Sequence, residues 1–324
     1  MLPVTSRDAP YPWPRPDGRL RIAFVGQATY FRACSLEGSD AQLATTFIDF
    51  RAGRDVLPVR AALQAFAPHA VVVFRPEILP PGALADLRVP VLGFLTEPIV
   101  RREGPEAHWD LEHRHRELSR LDPDNVDRIV SFDPLIVPTA DRIMPVWRSL
   151  PLPVADRLFR PVRRVRAPAG LLFVGRSTWH REEYLAQAKY RFDVLHVAFG
   201  AGLEELERLL ERFTVTFNLH NEPYPSFENR VLLHLAAGHL VISEPLSPSH
   251  GLEANRDYLE IDSPDQLTNA AERAREAPDE LLPVRLAGRA KAEISRASRV
   301  WPALVRDLHL DLRAFGTHRR AGGG

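Results

Sequence analysis

Cysteine is almost absent from this chain of 324 residues, in which Cys34 is the only one. A single thiol cannot form an internal disulfide, and the sequence has no Cys/His pattern of the kind that holds structural zinc. These absences argue against a disulfide-stabilised secreted domain and favour a reducing compartment. We therefore expect a cytoplasmic protein in which Cys34 is a small packing residue.

Net charge and long apolar runs are absent as well. Forty-two basic residues balance forty-two acidic ones, so no overall field attracts nucleic acid or an anionic membrane surface. No stretch approaches the ~20 apolar residues that span a bilayer. The first eighteen residues contain five prolines and no apolar segment typical of a signal peptide. We expect no nucleic-acid partner and no integral membrane segment.

Chain length and the spacing of apolar segments predict the architecture. A chain of 324 residues exceeds the size of one hydrophobic core, so two domains of roughly 130 to 150 residues are expected. Short apolar segments alternate with amphipathic ones, which is typical of parallel strands joined by right-handed helical crossovers. The prediction is an α/β chain with two Rossmann-like domains, parallel sheets, and a C-terminal helix that crosses back to the first domain.

A Pro- and Arg-rich stretch, RPVRRVRAPAG, interrupts the α/β pattern and predicts a linker. The pattern begins again at GLLFVGRS. The predicted order is an irregular arm at 1–18, an acceptor domain at 19–154, a linker at 155–168, a donor domain at 169–297, a crossover helix at 298–316 and a flexible tail at 317–324.

The segment PYPSFENRVLLHLAAGHLVISEPLSPSHGLEANRDYLEIDSPDQL, residues 223–267, has a specific order of parts. A helix predicted at 226–238 ends in Ala-Ala-Gly, and a strand, a polar loop, Gly-Leu, a second strand and a Ser-capped helix come after it. This order resembles the donor-binding half of GT-B glycosyltransferases, particularly the spore-maturation (CgeB-like) and group 1 glycosyltransferases. The resemblance covers residues 170–280 well and the first domain only in outline.

The resemblance implies an enzyme, a hexosyltransferase-like glycosyltransferase of the GT-B kind. Such an enzyme moves a sugar from a nucleotide-diphosphate sugar to an acceptor, which could be a glycan, a small molecule or a protein. The nucleotide sugar would be a substrate, and neither a further cofactor nor a metal ion is expected.

Candidate residues for the diphosphate follow strand ends in the second domain. Gly175 would let backbone N–H groups approach a diphosphate, and Arg176 would add a cation beside it. The helix predicted to begin at Ser226 would offer unpaired N–H groups and a positive dipole end, reinforced by Arg230. The alternatives are that Gly175 only turns the chain and that Arg230 is an ordinary paired helix residue.

Further donor-site candidates lie on three loops. His220 follows a strand at the sheet edge where ligands bind in open α/β folds, although a structural histidine is equally natural. Trp179 and His180 are candidates for stacking on a base or ribose, or for a staple at a helix start. By the resemblance, Gly251 and Leu252 belong to the loop beneath the transferred sugar.

Candidate catalytic residues are Glu228, Asp49 and Glu97. Counting back from the Ala-Ala-Gly turn, the glutamate that the family uses for the ribose hydroxyls falls on Leu233. Glu228 is the only carboxylate in the predicted first helical turn, where it either contacts the donor or stabilises the helix dipole. Asp49 and Glu97 lie at strand ends of the first domain and can accept a proton from an acceptor.

Two other functions stay open on the sequence alone. An epimerase of nucleotide sugars shares the architecture and would interconvert such sugars without an acceptor. A non-catalytic sugar-binding scaffold would keep the fold but lose nucleotide binding, in keeping with Leu233 at the ribose position.

Overall fold

The computed structural model describes residues 18–102, 108–168, 170–198 and 201–317. The chain divides into two compact units: residues 1–31, 36–150 and 301–324 form the first, and residues 32–35 with 151–300 form the second. The arm predicted at 1–18, apart from Gly18, and the tail at 318–324 fall outside the described residues. No helix in the described ranges is long and apolar enough to cross a membrane.

The first unit contains a sheet of six parallel strands in the order β2-β1-β3-β4-β5-β6. Its central strands are buried from end to end, as expected when both faces of a parallel sheet are covered. The strands are β1 Leu20–Gly26, β2 Leu43–Asp49, β3 Ala70–Phe74, β4 Val91–Leu95, β5 Arg128–Ser131 and β6 Val146–Ser149; the helices are α1 Ala28–Phe31, α2 Leu57–Phe66, α3 Trp109–Leu118 and α4 Val137–Ala140.

An aromatic group holds the core of the first unit together. Trp301, near the start of the chain's last helix, is fully buried, with ring centroids 5.2 Å from Phe24, 5.8 Å from Phe74 and 5.9 Å from Phe94 in edge-to-face arrangements. The last helix therefore packs on the first sheet, although most of the second unit precedes it in sequence. The expected crossover helix is present.

The second unit contains five parallel strands in the order β11-β10-β9-β7-β8. The strands are β7 Leu171–Val174, β8 Val194–Val197, β9 Val215–Asn218, β10 Leu240–Ser243 and β11 Leu259–Glu260; the helices are α5 Trp179–Arg191, α6 Leu203–Arg212, α7 Arg230–Ala236, α8 Pro264–Glu276, α9 Leu282–Ala292 and α10 Ala297–Phe315, which continues into the first unit.

Both faces of the second sheet are covered by apolar side chains. Leu172 points into a core shared with α6 and α7, while its neighbours Leu171 and Phe173 belong to a core shared with α5 and α8. This alternation along one strand is the period-two pattern of a sheet buried on both sides. Cys34 packs in this unit as well, and burial raises its pKa to about 12, which makes it a packing residue as expected.

Candidate functional site

Three neighbouring strands of the second sheet, β10, β9 and β7, bring polar side chains to one edge. Because these strands are parallel, the segments that come after them lie side by side, as in other open α/β sheets that bind ligands. These segments together with α5 and α7 form what we call the carboxyl-edge cluster: Arg176, His180, Arg181, His220, Glu228, Arg230 and Glu244. All seven belong to the second unit.

Arg181 is the buried centre of this cluster, with 2% of its side chain exposed. Its Nε donates to the carbonyl oxygen of Leu219 at 3.0 Å, and its Nη2 donates to Oε1 of Glu228 at 3.1 Å. Burial, followed by the positive charge of Arg230, lowers the pKa of Arg181 to about 10. The guanidinium is still charged at neutral pH, so a buried cation lies at the edge of the sheet.

Sequence reasoning missed Arg181, although the sequence holds a signal for it. The buried positions of α5 are Arg181, Tyr184, Leu185 and Ala188, which follow the i, i+3, i+4, i+7 spacing of an inward helix face. An arginine therefore occupies the first position of an otherwise apolar stripe. A long charged side chain at such a position requires polar partners at the nearest end of the sheet.

Glu228 lies between two arginines. Its second oxygen, Oε2, accepts from Nη2 of Arg230 at 3.0 Å, and Nη1 of Arg230 donates to the carbonyl oxygen of Leu219 at 3.2 Å. Each carboxylate oxygen thus faces a guanidinium, one of them that of Arg181. This arrangement favours charge neutralisation over the catalytic role that we expected for Glu228.

The helix that comes after β9 begins later than predicted. We expected it to begin at Ser226, but α7 begins at Arg230 and has seven residues. The chain before it is anchored by tertiary contacts: the hydroxyl of Ser226 contacts the ring of His220 at 3.2 Å, and Phe227 is buried in the core. The expected diphosphate site at a helix start on Ser226 is therefore wrong.

Gly175 lies where two guanidiniums pass beside the chain. Its own amide donates to the carbonyl oxygen of Val197 at 2.9 Å, so this N–H is already paired, and the approach of other backbone N–H groups to a diphosphate stays a prediction. A Cβ at Gly175 would lie 3.2 Å from Nη2 of Arg230 and 3.3 Å from Nη1 of Arg181. Glycine therefore leaves room for the two guanidiniums that pass beside the chain.

Arg176 directs its side chain along the same edge. Its Nε donates to Oδ1 of Asn221 at 2.7 Å, and its Nη2 lies 3.8 Å from a carboxylate oxygen of Glu222. The side chain is about half exposed, at 54%. Arg176 thus adds an accessible positive charge to the guanidiniums of Arg181 and Arg230, and its contact with a phosphate stays a prediction.

His220 is buried, with 3% of its surface exposed, and both ring nitrogens contact protein atoms. Nε2 lies 2.9 Å from the carbonyl oxygen of Pro245 and Nδ1 lies 3.2 Å from Oγ of Ser226. A carbonyl oxygen only accepts, so Nε2 carries the proton and the hydroxyl of Ser226 donates to Nδ1. Burial lowers the pKa of His220 and keeps it neutral. The predicted ligand contact by this ring is therefore replaced by a structural role.

Glu244, directly after β10, holds a second histidine in place. Its Oε2 accepts from the amide of His220 at 2.6 Å, and its Oε1 contacts Nε2 of His180 at 2.8 Å. Burial acts to raise the pKa of Glu244, but the hydrogen bond from His180 and the contacts with His220 outweigh it and lower that pKa. A carboxylate oxygen only accepts, so Nε2 of His180 carries a proton, and Nδ1 is directed away from Glu244.

His180 lies in the first turn of α5, a helix of thirteen residues that begins at the edge of the cluster. The side chain of Thr178 caps this helix by accepting from the amide of Arg181 at 3.3 Å. The first amides of a helix have no partner within the helix, and here they include those of Trp179 and His180. Together with the helix dipole and the nearby guanidiniums, they favour an anion at this position.

The predicted sugar loop is only partly accessible for ligand contacts. Gly251 has a φ of +80° and nothing within 4 Å of where a Cβ would lie, so glycine is required there by backbone conformation. The amide of Leu252 donates to the carbonyl oxygen of Ser249 at 3.0 Å, and its side chain lies in the core. The amide of Leu252 is therefore already paired within the loop, and contact of this loop with a sugar stays a prediction. Leu233, at the family's ribose position, is also a core residue.

The two carboxylates predicted in the first domain differ in their surroundings. Asp49 is half exposed; its Oδ1 accepts from the amide of Ala28 at 2.7 Å, and its Oδ2 lies 3.7 Å from Nε of Arg51. Glu97 lies between two arginines, 3.0 Å from Nη1 of Arg114 and 3.8 Å from Nη1 of Arg75.

Glu97 is therefore part of a charged network at the carboxyl end of β3 and β4, which also contains Glu77, Asp110 and Glu117. Among the residues that the structure describes, no group of three or more His, Cys, Asp or Glu side chains could hold a metal ion.

Comparison with known proteins identifies the fold. No protein-family model matches the sequence, and no curated protein matches it either. Solved structures do match. Anabaena Alr3699/HepE in complex with UDP-glucose superimposes with a TM-score of 0.55 at 11% identity, covering 92% of this chain and 100% of that one.

Sucrose-phosphate synthase from Thermosynechococcus elongatus superimposes with a TM-score of 0.54 at 12% identity, covering 91% of this chain and 99% of that one. A second complex of Anabaena HepE, with UDP and glucose, gives 0.54 at 10% identity over 90% and 99% of the two chains. These superpositions extend over both units. The chain has the two-domain, Rossmann-like GT-B fold, as predicted.

Proposed function

We propose that this chain is a glycosyltransferase, hexosyltransferase-like and of the spore-maturation kind, that transfers a sugar from a nucleotide-diphosphate sugar to an acceptor. The observation that carries the proposal is the meeting of Arg176, Arg181 and Arg230 beside the start of α5. A diphosphate is the ligand whose charge suits this edge. The same fold occurs in HepE, which has been solved with UDP-glucose.

In this proposal the diphosphate lies against the first turn of α5. The amides of Trp179 and His180 donate to it, and the half-exposed Arg176 pairs with it from the preceding loop. Glu244 orients His180 through Nε2, so that Nδ1 is directed away from the carboxylate. The donor is a substrate and no further cofactor is required, and a reducing cytoplasm is the proposed location.

The chemistry follows from the charge that develops on the leaving group. An acceptor hydroxyl attacks the anomeric carbon while the bond from that carbon to the β-phosphate oxygen breaks. The departing nucleoside diphosphate gains negative charge, which fixed cations stabilise more in the transition state than in the ground state. The acceptor's proton passes to a base, for which Asp49 is a better candidate than Glu97, because both oxygens of Glu97 face arginines.

The test is a calorimetric titration of UDP and UDP-glucose into the whole chain and into Arg176→Ala. We expect the substitution to weaken binding at least ~10-fold, about 1.4 kcal/mol, because it removes an accessible phosphate partner. Arg191→Ala is the matched control, since Arg191 lies at the opposite end of α5 and pairs with Glu272. Equal affinities for Arg176→Ala and the wild type would contradict the proposed site.

A non-catalytic sugar-binding scaffold is the second candidate, and one observation favours it. Leu233 stands at the family's ribose position and is packed in the core with 7% of its surface exposed. The same titration separates the two candidates: absence of UDP and UDP-sugar binding at millimolar concentration favours the scaffold. Binding followed by release of UDP in the presence of acceptors favours the transferase.

A further inference from the structure

Asn221 follows the end of β9 and lies beside the carboxyl-edge cluster. The residue is buried, with 7% of its surface exposed. Its side-chain oxygen Oδ1 accepts from Nε of Arg176 at 2.7 Å and from Nη1 of Arg181 at 3.2 Å. One amide oxygen therefore holds two of the three guanidiniums on which the proposed diphosphate site depends.

These two bonds fix the orientation of the Asn221 amide. A guanidinium only donates hydrogen bonds, so the atom that faces Arg176 and Arg181 is the oxygen. The nitrogen Nδ2 is left buried, with no hydrogen-bond partner in the described part of the chain. An unpaired buried N–H group costs stability, so an amide is not the most stabilising side chain for this position.

The backbone of Asn221 holds the start of α5. Its carbonyl oxygen accepts from Oγ1 of Thr178 at 2.6 Å, and the side chain of Thr178 caps this helix. The carbonyl oxygen of Arg176 in turn accepts from Nη1 of Arg181 at 3.0 Å. Asn221 thus joins the loop after β9 to the loop after β7, and it fixes where the two arginines and the first turn of α5 lie.

A neutral acceptor at position 221 leaves the arginines their charge. Glu228 bonds to both Arg181 and Arg230, and Glu222 lies 3.8 Å from Arg176. Three guanidiniums and two carboxylates leave one positive charge among these five side chains. An aspartate at position 221 would have the same shape, would accept the same two bonds and would carry no unpaired N–H group. It would also cancel the remaining positive charge.

We propose that Asn221 is a positioning residue of the donor site, which holds Arg176 and Arg181 in place for an anion without neutralising them. This inference rests on the proposed function, because it requires a diphosphate at this edge of the sheet. Asn221 acts through the two arginines, and no contact between Asn221 and the nucleotide sugar is required. Asparagine at this position sacrifices stability and keeps positive charge for the charge-assisted bonds that a diphosphate accepts.

The first experiment separates charge from geometry. UDP-glucose is titrated by calorimetry into the wild type and into Asn221→Asp, which keeps both acceptor bonds. We expect Asn221→Asp to bind at least ~10-fold more weakly, because its carboxylate repels the diphosphate and competes for both guanidiniums. The midpoint of its urea denaturation should equal or exceed that of the wild type, because the unpaired N–H group is gone. A purely structural asparagine predicts undiminished binding, since aspartate holds the arginines at least as firmly.

Gln187→Glu is the matched control, because it makes the same change from amide to carboxylate within α5. Gln187 lies in the second half of that helix, where its Oε1 accepts from Oγ1 of Thr268. This variant should bind UDP-glucose as the wild type does. Wild-type affinity in Asn221→Asp overturns the inference. An equal loss of affinity in Gln187→Glu also overturns it, because the effect would then come from the net charge of the chain.

The second experiment measures the orientation of Arg176 without any nucleotide. In protein that carries isotope-labelled arginine, the Nε–H resonance of Arg176 is identified by its loss in Arg176→Ala. We expect this proton to exchange slowly with solvent in the wild type and in Asn221→Asp, where an acceptor is present. In Asn221→Ala the resonance should be lost to fast exchange, while that of Arg191, at the other end of α5, is unchanged. Equal protection of the Arg176 proton in Asn221→Ala overturns the inference.

The two experiments distinguish failure of the inference from failure of the proposed function. Absence of UDP-glucose binding by the wild type would contradict the proposed function, and with it the purpose assigned to Asn221. The exchange measurement would still decide whether Asn221 holds Arg176. Binding by the wild type with no loss in Asn221→Asp would contradict the inference alone.

Discussion

At the scale of single residues, the carboxyl-edge cluster depends on the absence of a side chain at Gly175. Sequence reasoning placed Gly175 and Arg176 correctly at the end of a strand, because a short apolar run followed by glycine is a local signal. It assigned the glycine to the close approach of a diphosphate, which stays a prediction. The structure adds a second reason for glycine, because Arg181 and Arg230 lie beside it only in the folded chain, so no local pattern could reveal it.

The same distances give a prediction. Gly175→Ala places a methyl group 3.2 Å from Nη2 of Arg230 and 3.3 Å from Nη1 of Arg181, which forces both guanidiniums to shift. We expect a loss of about 1 kcal/mol in the free energy of unfolding, as for mild overpacking, and weaker UDP binding. Urea denaturation and calorimetry measure the two effects.

Gly202→Ala is the control, because nothing lies within 4 Å of a Cβ at that position. It should leave UDP affinity unchanged. An unaltered affinity in Gly175→Ala would show that the guanidiniums are not held in place for the ligand.

At the scale of helices and strands, the sequence predicted which elements are present better than it predicted the residues at which they begin and end. The strands were recognisable because buried parallel strands are short, continuous apolar runs between turns. The start of α7 was not, since Ser226 and Phe227 lie outside any helix and are held by tertiary contacts with His220 and the core, which no local pattern reveals. The short edge strand β6 was not assigned either, because its four residues are partly exposed and give no apolar run.

Helix packing in the second unit gives a prediction with an unusual sign. Replacing a helical glycine by alanine normally stabilises a protein by roughly 0.5–1 kcal/mol. At Gly288 in α9, however, a Cβ would lie 2.3 Å from the carbonyl oxygen of Asp257 and 2.6 Å from Cδ2 of Leu235. We expect Gly288→Ala to destabilise the chain by about 2–3 kcal/mol, as measured by urea denaturation.

Gly38→Ala is the control for this change. Its nearest neighbour would be Cδ2 of Leu43 at 3.9 Å, so we expect a change within about 0.5 kcal/mol. A stabilised Gly288→Ala variant would mean that α9 does not pack closely against α7 and the loop at Asp257.

At the scale of the whole molecule, stability should depend on two buried histidines. The Nδ1 atoms of His234 and His239 lie 3.1 Å apart, and Nε2 of His239 donates to the carbonyl oxygen of Leu210 at 2.9 Å. Burial lowers the pKa of His239 to about 4 and lowers that of His234 well below its ordinary value. Both rings are therefore neutral in the folded protein near neutral pH.

The sign of the pH effect comes from these pKa shifts. Below pH 6.5 the unfolded chain takes up a proton on each histidine and the folded chain does not, so acid favours unfolding. We expect the free energy of unfolding to fall by about 1.4 kcal/mol per pH unit for each ring between pH 6.5 and about 4. Urea denaturation at a series of pH values measures this slope.

His239→Gln should remove the contribution of one histidine from the slope of unfolding free energy against pH, because glutamine does not titrate. Glutamine can still donate to the carbonyl oxygen of Leu210, so the fold should be kept. His113→Gln, at a half-exposed histidine of the first unit, is the control and should retain the slope. A slope equal to that of the wild type in His239→Gln would contradict the assignment of a buried neutral ring.

The stretch predicted as a linker is firmly attached to the rest of the second unit. The amide of Arg160 donates to the carbonyl oxygen of Ala236 at 3.0 Å, and Arg289 and Arg285 hold the carbonyl oxygens of Arg160 and Arg163 at 2.8 and 2.9 Å. A second unit expressed from residue 169 onward would lack the carbonyl oxygens of Arg160 and Arg163. Arg289 and Arg285 of α9 would then lose these hydrogen-bond acceptors. An expressed second unit should therefore begin ahead of residue 151, whereas the first unit also needs the chain after residue 300, which carries Trp301.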